Sequence, residues 1–356
     1  MSRPDPQLGD NLMFLISQPR SGSTLLQHML VGHPRIHTAP EPWLMLHQIY
    51  AIRGLGIATE YDAGTASRAL NSFLDGMGAR TQPFLESVRL SSGYLYDLAL
   101  QRSKADIFLD KTPRYYHVID ELREVFPRAR MILLFRNPAA VLSSILHTHA
   151  AGDWTRLRRL DRMHDLVTAP RNMVRAIDRL GEWRTAVVRY EDLIANPDHA
   201  LSALCERMEI EAVPGLKNYV ASDAPLGDAT TAGHSAPTDV YLDRWKRDLG
   251  SPAKRDVARS YLRALGPEII ERLGYDYRDL LAALSIHGRG DDETRWRMLS
   301  APDESLAWWS RVWLSLAHSR NQRGVIKTIL RIGYMSVFGH AWAGRDGSDH
   351  IDRRPV

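Results

Sequence analysis

Five side chains in this 356-residue sequence have types and spacings suited to handling a polyanion and moving a proton: Arg20, Glu41, Lys111, Arg136 and Ser144. Arg20 opens a run of small residues, Ser21-Gly22-Ser23-Thr24, which follows an apolar stretch at 12–16 and precedes Leu25, Leu26, Met29 and Leu30 at helical spacing. A loop of this kind aims backbone N–H groups, and the positive end of a helix dipole, at one spot. That spot suits a phosphate or phosphosulfate, and Arg20 at its lip adds a forked, charged donor. An ordinary strand–turn–helix without a ligand accounts for this stretch taken alone; the other four residues tilt the reading towards a bound anion.

Glu41 stands between Pro40 and Pro42, which restrict the backbone on both sides. It is either a solvated turn carboxylate or a rigidly held base. Lys111 follows the strand-like run at 106–110. A lysine there lies on the carboxyl edge of a sheet, where open α/β folds bind ligands. Arg136 ends another apolar run, 130–135, and Asn137-Pro138 supplies a cap and a first helical residue. Ser144 lies eight positions further on, about two helical turns, so both side chains can reach one anion. A surface ion pair for Arg136 and a packing role for Ser144 are the plainer alternatives.

Positioning these residues requires a sheet. Strands are expected at 12–16, 106–110, 130–135 and 184–189, with a short extended piece at 36–37; the fourth full strand ends in Tyr190-Glu191-Asp192. Helices are expected between them, at 83–102, 115–126 and 157–180, and after the last strand at 201–208 and 257–273. Pro19 stops the first strand. Strands alternating with helices indicate an α/β fold with a mostly parallel sheet. Residues 222–239, rich in Gly, Pro, Ala, Ser and Thr and carrying His234, read as a loop over the site. The segment 240–247 offers Trp245 among three cations, as a nucleotide cover or an amphipathic helix start.

Two domains are expected: 1–284, and a helical C-terminal extension, 285–356, set off by Asp291-Asp292-Glu293. In the extension Leu306, Trp309, Trp313 and Leu316 share a helical face, and 311–331 holds five basic residues and no acid. Peripheral membrane contact through 304–340 is one reading of that pattern, and extra helices packed on the domain another.

Apolar residues make up 44% and charged residues 25%, an ordinary globular balance. The net charge of +4 suits an anionic ligand and is too small to indicate nucleic acid. Cys205 is the sole cysteine, which excludes an internal disulfide and a cysteine-based metal cluster. Residues 1–10 are polar and read as neither secretory signal nor anchor, and no apolar run is long enough to cross a bilayer. The expected location is the cytoplasm, with the inner membrane face as a second option.

Taken together, the segments resemble the sulfotransferases that use 3′-phosphoadenosine 5′-phosphosulfate (PAPS). QPRSGSTLL at 18–26 is similar to that family's 5′-phosphosulfate loop, LLFRNPAAVLSS at 133–144 to its 3′-phosphate segment, and VVRYEDL at 187–193 to an adenine-side segment. The pattern resembles above all the tyrosylprotein branch and bacterial proteins sharing PRSGSTLL…HP…E. The resemblance implies a P-loop-like central parallel sheet flanked by helices. It implies Glu41 as general base, with Lys111 and Arg20 beside the transferred group. Ser21, Gly22, Ser23 and Thr24 would hold the 5′-phosphate, Arg136 and Ser144 the 3′-phosphate, and Tyr190 the adenosine. PAPS is then the co-substrate, no metal is required, and the partner is a hydroxyl-bearing acceptor: a glycan, a lipid-linked group or a small molecule. One position departs from the branch: Asp243 stands where a leaving-group serine is expected, and Lys246 is the candidate replacement. A P-loop kinase or NTPase is the competing enzyme class, but the loop lacks the lysine of G-x-x-x-x-G-K-[ST]. A non-catalytic nucleotide-binding scaffold is the other alternative.

Overall fold

A computed structural model describes residues 5–285, apart from 55–56, 58, 79–80, 151, 153–156, 158–159 and 219–238. Most of the expected loop at 222–239, including His234, and the expected C-terminal extension lie outside the described residues.

Five strands form one sheet: β1 (Leu12–Ser17), β2 (Ile36–Thr38), β3 (Ile107–Lys111), β4 (Arg130–Phe135) and β5 (Thr185–Arg189). Their order is β2-β3-β1-β4-β5, and every pairing is parallel. The side-chain period of a strand is two, and here both faces are covered. Leu12, Phe14 and Ile16 of β1 join Met131, Leu133 and Phe135 of β4 in one core. Met13 and Leu15 join Ile132 and Leu134 in a second core on the other face. That double burial explains why β1 and β4 read as unbroken apolar runs; β5, at the sheet edge, leaves Val187 exposed.

After β1 the chain builds β2 and β3 on one side of it, then crosses to β4 and β5 on the other. The reversal at β1 opens a crevice at the carboxyl ends of the strands, the place where such sheets bind ligands. Helix α1 (Ser23–Val31) packs Leu25, Leu26, Met29 and Leu30 into the second core. Helices α2 (Leu44–Arg53), α4 (Gln82–Gln101), α5 (Ile119–Val125) and α6 (Pro138–Ala150) serve the first, with α3 (Ala63–Gly76) packed beside α2. Among the described residues no helix is long and apolar enough to cross a membrane.

Three expected helices are broken, each for a local reason. At 115–126, a 3₁₀ turn, Pro113–His117, is followed by α5, and Val118 between them leaves helical geometry at φ −135°. The break turns Tyr115 and Tyr116 inward to separate carboxylates, Asp110 and Asp165. At 157–180 a π turn, His164–Thr168, separates Leu160–Met163 from Ala169–Leu180. Two of its carbonyls are claimed by distant side chains: that of Asp165 by Gln18 and that of Leu166 by the Tyr261 hydroxyl. At 257–273 Gly266, at φ 83°, divides Pro252–Leu265 from Pro267–Arg272.

Candidate functional site

The chain leaves β1 at Ser17 and turns through Gln18 and Pro19. Gln18 sends its side-chain amide to the Asp165 carbonyl at 3.0 Å, which pins the loop's base to the π turn. Arg20 then adopts φ 73° and Gly22 φ 93°. For arginine this is an uncommon conformation, one that persists where its surroundings enforce it. For Gly22 the alternative is closed twice: a side chain would be strained there, and its Cβ would lie 2.4 Å from the Tyr190 ring. Gly22 is the N-cap residue of α1 and supplies no capping side chain. Helix α1 therefore begins earlier than the expected four-residue loop allows, with Ser23 and Thr24 already in its first turn. Its leading N–H groups lack intrahelical partners by construction. The Ser21 hydroxyl is buried without a hydrogen-bond partner.

Arg136 emerges just beyond β4, and its guanidinium carbon lies 4.2 Å from the centre of the Tyr190 ring. Nη1 donates to the Arg20 carbonyl at 3.0 Å and Nη2 to the Tyr241 carbonyl at 3.2 Å, while Nε is buried with no partner. Burial pulls the guanidinium below its ordinary pKa, and the neighbouring Tyr190 and Glu191 oppose that pull. Arg20 Nε donates to Ser144 Oγ at 3.2 Å. Arg20, Gly22, Arg136, Ser144 and Tyr190 thus form one cluster around the loop. Asn137 caps α6 as expected, its Oδ1 accepting from the Ala139 N–H at 2.9 Å.

Lys111 is the last residue of β3 and fully buried. Its Nζ donates to Glu41 Oε1 at 2.7 Å and reaches Thr24 Oγ1 at 3.4 Å. The ammonium therefore ties the first turn of α1 to Glu41, whose side chain keeps 25% exposure. The other carboxylate oxygen of Glu41 accepts the Trp43 indole N–H at 3.2 Å. Trp43 has φ 54° and stands at the N-cap of α2. Burial, and then the Lys111 charge, hold the nearby His28 imidazole below its ordinary pKa.

Lys246 is not brought into this arrangement by any described contact. It is exposed on the short helix Arg244–Asp248 and pairs with Asp243 Oδ1 at 2.8 Å. Asp243 stands one helical turn from Lys246, which accounts for that pairing.

Some contributors were not singled out from the sequence. Glu191 accepts the Asn137 N–H at 3.0 Å and the Tyr275 hydroxyl at 2.5 Å, fixing the turn that carries Arg136. Asp165 binds Arg114 through two bonds, at 3.0 and 2.7 Å, and Arg114 lies 5.6 Å from the centre of the Trp43 ring. A carboxylate at the end of an apolar run is the signal that marks Asp110; Trp43 and Tyr115 carry none.

The cluster fits a multiply charged anion. Arg20, Lys111 and Arg136 converge on a helix N-terminus, and two buried donors, Ser21 Oγ and Arg136 Nε, are unspent. Among the described residues no group of three or more His, Cys, Asp or Glu side chains gathers as a metal site.

Comparison with known proteins gives the same family from two directions. The sequence profile of the sulfotransferase family matches residues 13–214. Nodulation protein NoeE of Sinorhizobium fredii (strain NBRC 101917 / NGR234) is 32% identical over 286 residues, covering 74% of this chain and 66% of NoeE. Protein-tyrosine sulfotransferase A of Caenorhabditis elegans is 24% identical over 276 residues, covering 74% of this chain and 67% of that protein. The chain thus spans about two thirds of the length of these relatives. Among solved structures, the sulfotransferase domain from the curacin biosynthetic pathway superposes with a TM-score of 0.50 at 24% identity, covering 74% of this chain and 97% of the domain. That likeness bears on the fold.

Proposed function

The chain belongs to the sulfotransferase family, and on that premise we propose that it moves a sulfuryl group from PAPS to a hydroxyl acceptor with Glu41 as general base. The observation that carries the reading is the Glu41–Lys111 contact at 2.7 Å, which also reaches the first turn of α1 through Thr24. It sets a carboxylate and an ammonium side by side at the mouth of an anion-binding loop.

When bound, the donor supplies an activated sulfuryl group with a phosphate as leaving group. Arg136 and Ser144 would hold its 3′-phosphate and Tyr190 its adenosine. The N–H groups of Gly22 to Thr24 and the spare Ser21 hydroxyl would hold the 5′-phosphate, since the Ser21 N–H itself donates to the Gln18 carbonyl at 3.2 Å. Glu41 would take the acceptor's proton, and the partial exposure of its side chain leaves room for an acceptor to approach. A positioned carboxylate typically contributes about 10²–10⁴-fold in this role. Lys111 and Arg20 would balance the charge gathering on the leaving oxygen and the group in transit, the kind of preorganised electrostatics that is often the largest catalytic term. A carboxylate base suits a hydroxyl acceptor, and relatives named protein-tyrosine sulfotransferases support that class.

Substitution Glu41→Gln tests this. Turnover of labelled PAPS should fall by about 10²–10⁴-fold, while calorimetric binding of 3′,5′-diphosphoadenosine stays as it was. Full turnover by the variant removes Glu41 from the role of base. Preference for ATP–Mg²⁺ over the 3′-phosphorylated nucleotide in the same titration removes PAPS as donor.

A further inference from the structure

Asp110 precedes Lys111 in β3, and its carboxylate is 1% exposed. Burying a carboxylate is costly unless its lone pairs are satisfied. Here three hydroxyls do so. Thr112 Oγ1 donates to Oδ1 at 2.8 Å; Tyr96 and Tyr115 donate their phenolic hydrogens to Oδ2 at 2.6 and 2.8 Å. Among the described residues, its hydrogen-bond partners are these hydroxyls, with no cation among them. Burial pushes the carboxyl up to about 6, with the hydroxyl bonds opposing and the Glu41 charge assisting.

The two phenols lead to different places. Tyr96 belongs to α4 and packs in the first core against Phe14, Phe108 and Phe126. Tyr115 has a second bond: its oxygen accepts the Met45 N–H at 3.2 Å. Met45 is the second residue of α2, and α2 has no side-chain cap of its own, because Trp43 occupies the cap position. The Tyr115 phenol therefore satisfies a first-turn N–H that a serine or aspartate cap would ordinarily take. Trp43, held at φ 54° where α2 begins, donates to Glu41 Oε2. The opposite arm is shorter: Asp110 is bonded through the backbone to Lys111, which donates to Glu41 Oε1. Both oxygens of Glu41 are thus reached from one buried carboxylate.

We propose that Asp110 and Tyr115 are positioning residues, and that the Asp110–Tyr115–Met45 chain of hydrogen bonds sets where Glu41 stands against Lys111. The inference rests on the reading of Glu41 as base.

The test compares two substitutions on the same carboxylate oxygen. Tyr115→Phe removes the link to α2, whereas Tyr96→Phe removes a donor that has no bond to α2 and whose ring packs in the first core. Tyr115→Phe should lower kcat by about 10²-fold, the scale of a misplacement near 1 Å. Its KM for PAPS and its Kd for 3′,5′-diphosphoadenosine should not change. Tyr96→Phe should keep kcat close to the parent value, and the two variants should melt at similar temperatures. In a Glu41→Gln background Tyr115→Phe should cause no further loss, because its effect passes through Glu41. Equal kcat for the two phenylalanine variants overturns the inference, as does a loss in Tyr115→Phe that appears in nucleotide Kd instead of kcat. If Glu41→Gln itself turns over at the full rate, the base assignment fails and the positioning role with it. If Glu41→Gln is inactive and Tyr115→Phe fully active, the positioning role alone fails.

Discussion

The two halves of the site are built on opposite plans. Around the loop, Ser21 Oγ and Arg136 Nε are buried without partners, and Gly22 leaves the start of α1 without a capping side chain. Around Glu41 the polar groups are already matched: Lys111 on one oxygen, the Trp43 indole on the other, and three hydroxyls on the Asp110 carboxylate behind them. Leaving buried donors unmade is costly, about 1–3 kcal/mol each. That expense has a purpose where an anion will make the bonds. A proton-transfer group has a different need, since its geometry must exist before the substrate arrives. On the proposed reading, the first half is finished by the nucleotide and the second by the fold.

The largest effect should come from breaking the finished half. Lys111→Met deletes a buried cation that binds Glu41 and lies beside Thr24. Losing one preorganised electrostatic group typically lowers kcat by about 10²–10³-fold. Binding of 3′,5′-diphosphoadenosine should weaken far less, because the loop and Arg136 remain. Single-turnover kinetics beside calorimetry would read the split. A Kd that rises as much as kcat falls would mean that the halves are one unit.

Arg136→Ala tests the half left for the ligand. A hydrogen bond to a charged group contributes about 1.5–3 kcal/mol, so affinity for 3′,5′-diphosphoadenosine should drop by roughly 10–150-fold. AMP, which lacks the 3′-phosphate, should lose little. Equal weakening of both would put the 3′-phosphate elsewhere. The substitution also removes the bond to the Arg20 carbonyl, so a small rise in loop mobility is expected even without nucleotide.

The same contrast explains what the sequence disclosed. The strands at 12–16, 106–110 and 130–135 were readable because a sheet buried on both faces leaves apolar runs, whereas 184–189 forms an edge strand with Val187 exposed. The turn into α1 was readable because small residues stand between an apolar run and a helical pattern, as they do in the strand–turn–helix of the structure. Arg20, Arg136, Ser144 and Tyr190 do meet there, and Glu41 meets Lys111 across seventy positions. What sequence could not disclose is the support behind Glu41. Tyr115 caps a helix seventy residues away, and Trp43 orients a carboxylate by adopting a conformation that no local pattern specifies. Helix breaks were missed for a related reason. The periodicity at 115–126 and 157–180 is helical, but hydrogen bonds from Tyr115 to Asp110 and from Tyr116, Gln18 and Tyr261 to distant partners override it locally. Lys246, the candidate replacement at the departing position, stays exposed and pairs with Asp243 one turn away, and no described contact brings it to the loop.

The smallest effect should separate orientation from charge within the finished half. Trp43→Phe keeps an aromatic ring for Arg114 to lie over and removes the N–H that Glu41 Oε2 accepts. The bond is 3.2 Å long and part-buried, so its loss should resemble that of one ordinary hydrogen bond, about 0.5–1.5 kcal/mol, or roughly two- to twelvefold in kcat. Lys111 still holds the other oxygen, and nucleotide affinity should be untouched. If Trp43→Phe instead matches Lys111→Met in size, the indole is as decisive as the ammonium, and Glu41 is governed by direction more than by charge. If it has no effect at all, Lys111 and the β3 arm suffice to hold the carboxylate, and the α2 arm through Tyr115 must act on the backbone of residues 41–43 and not through the indole.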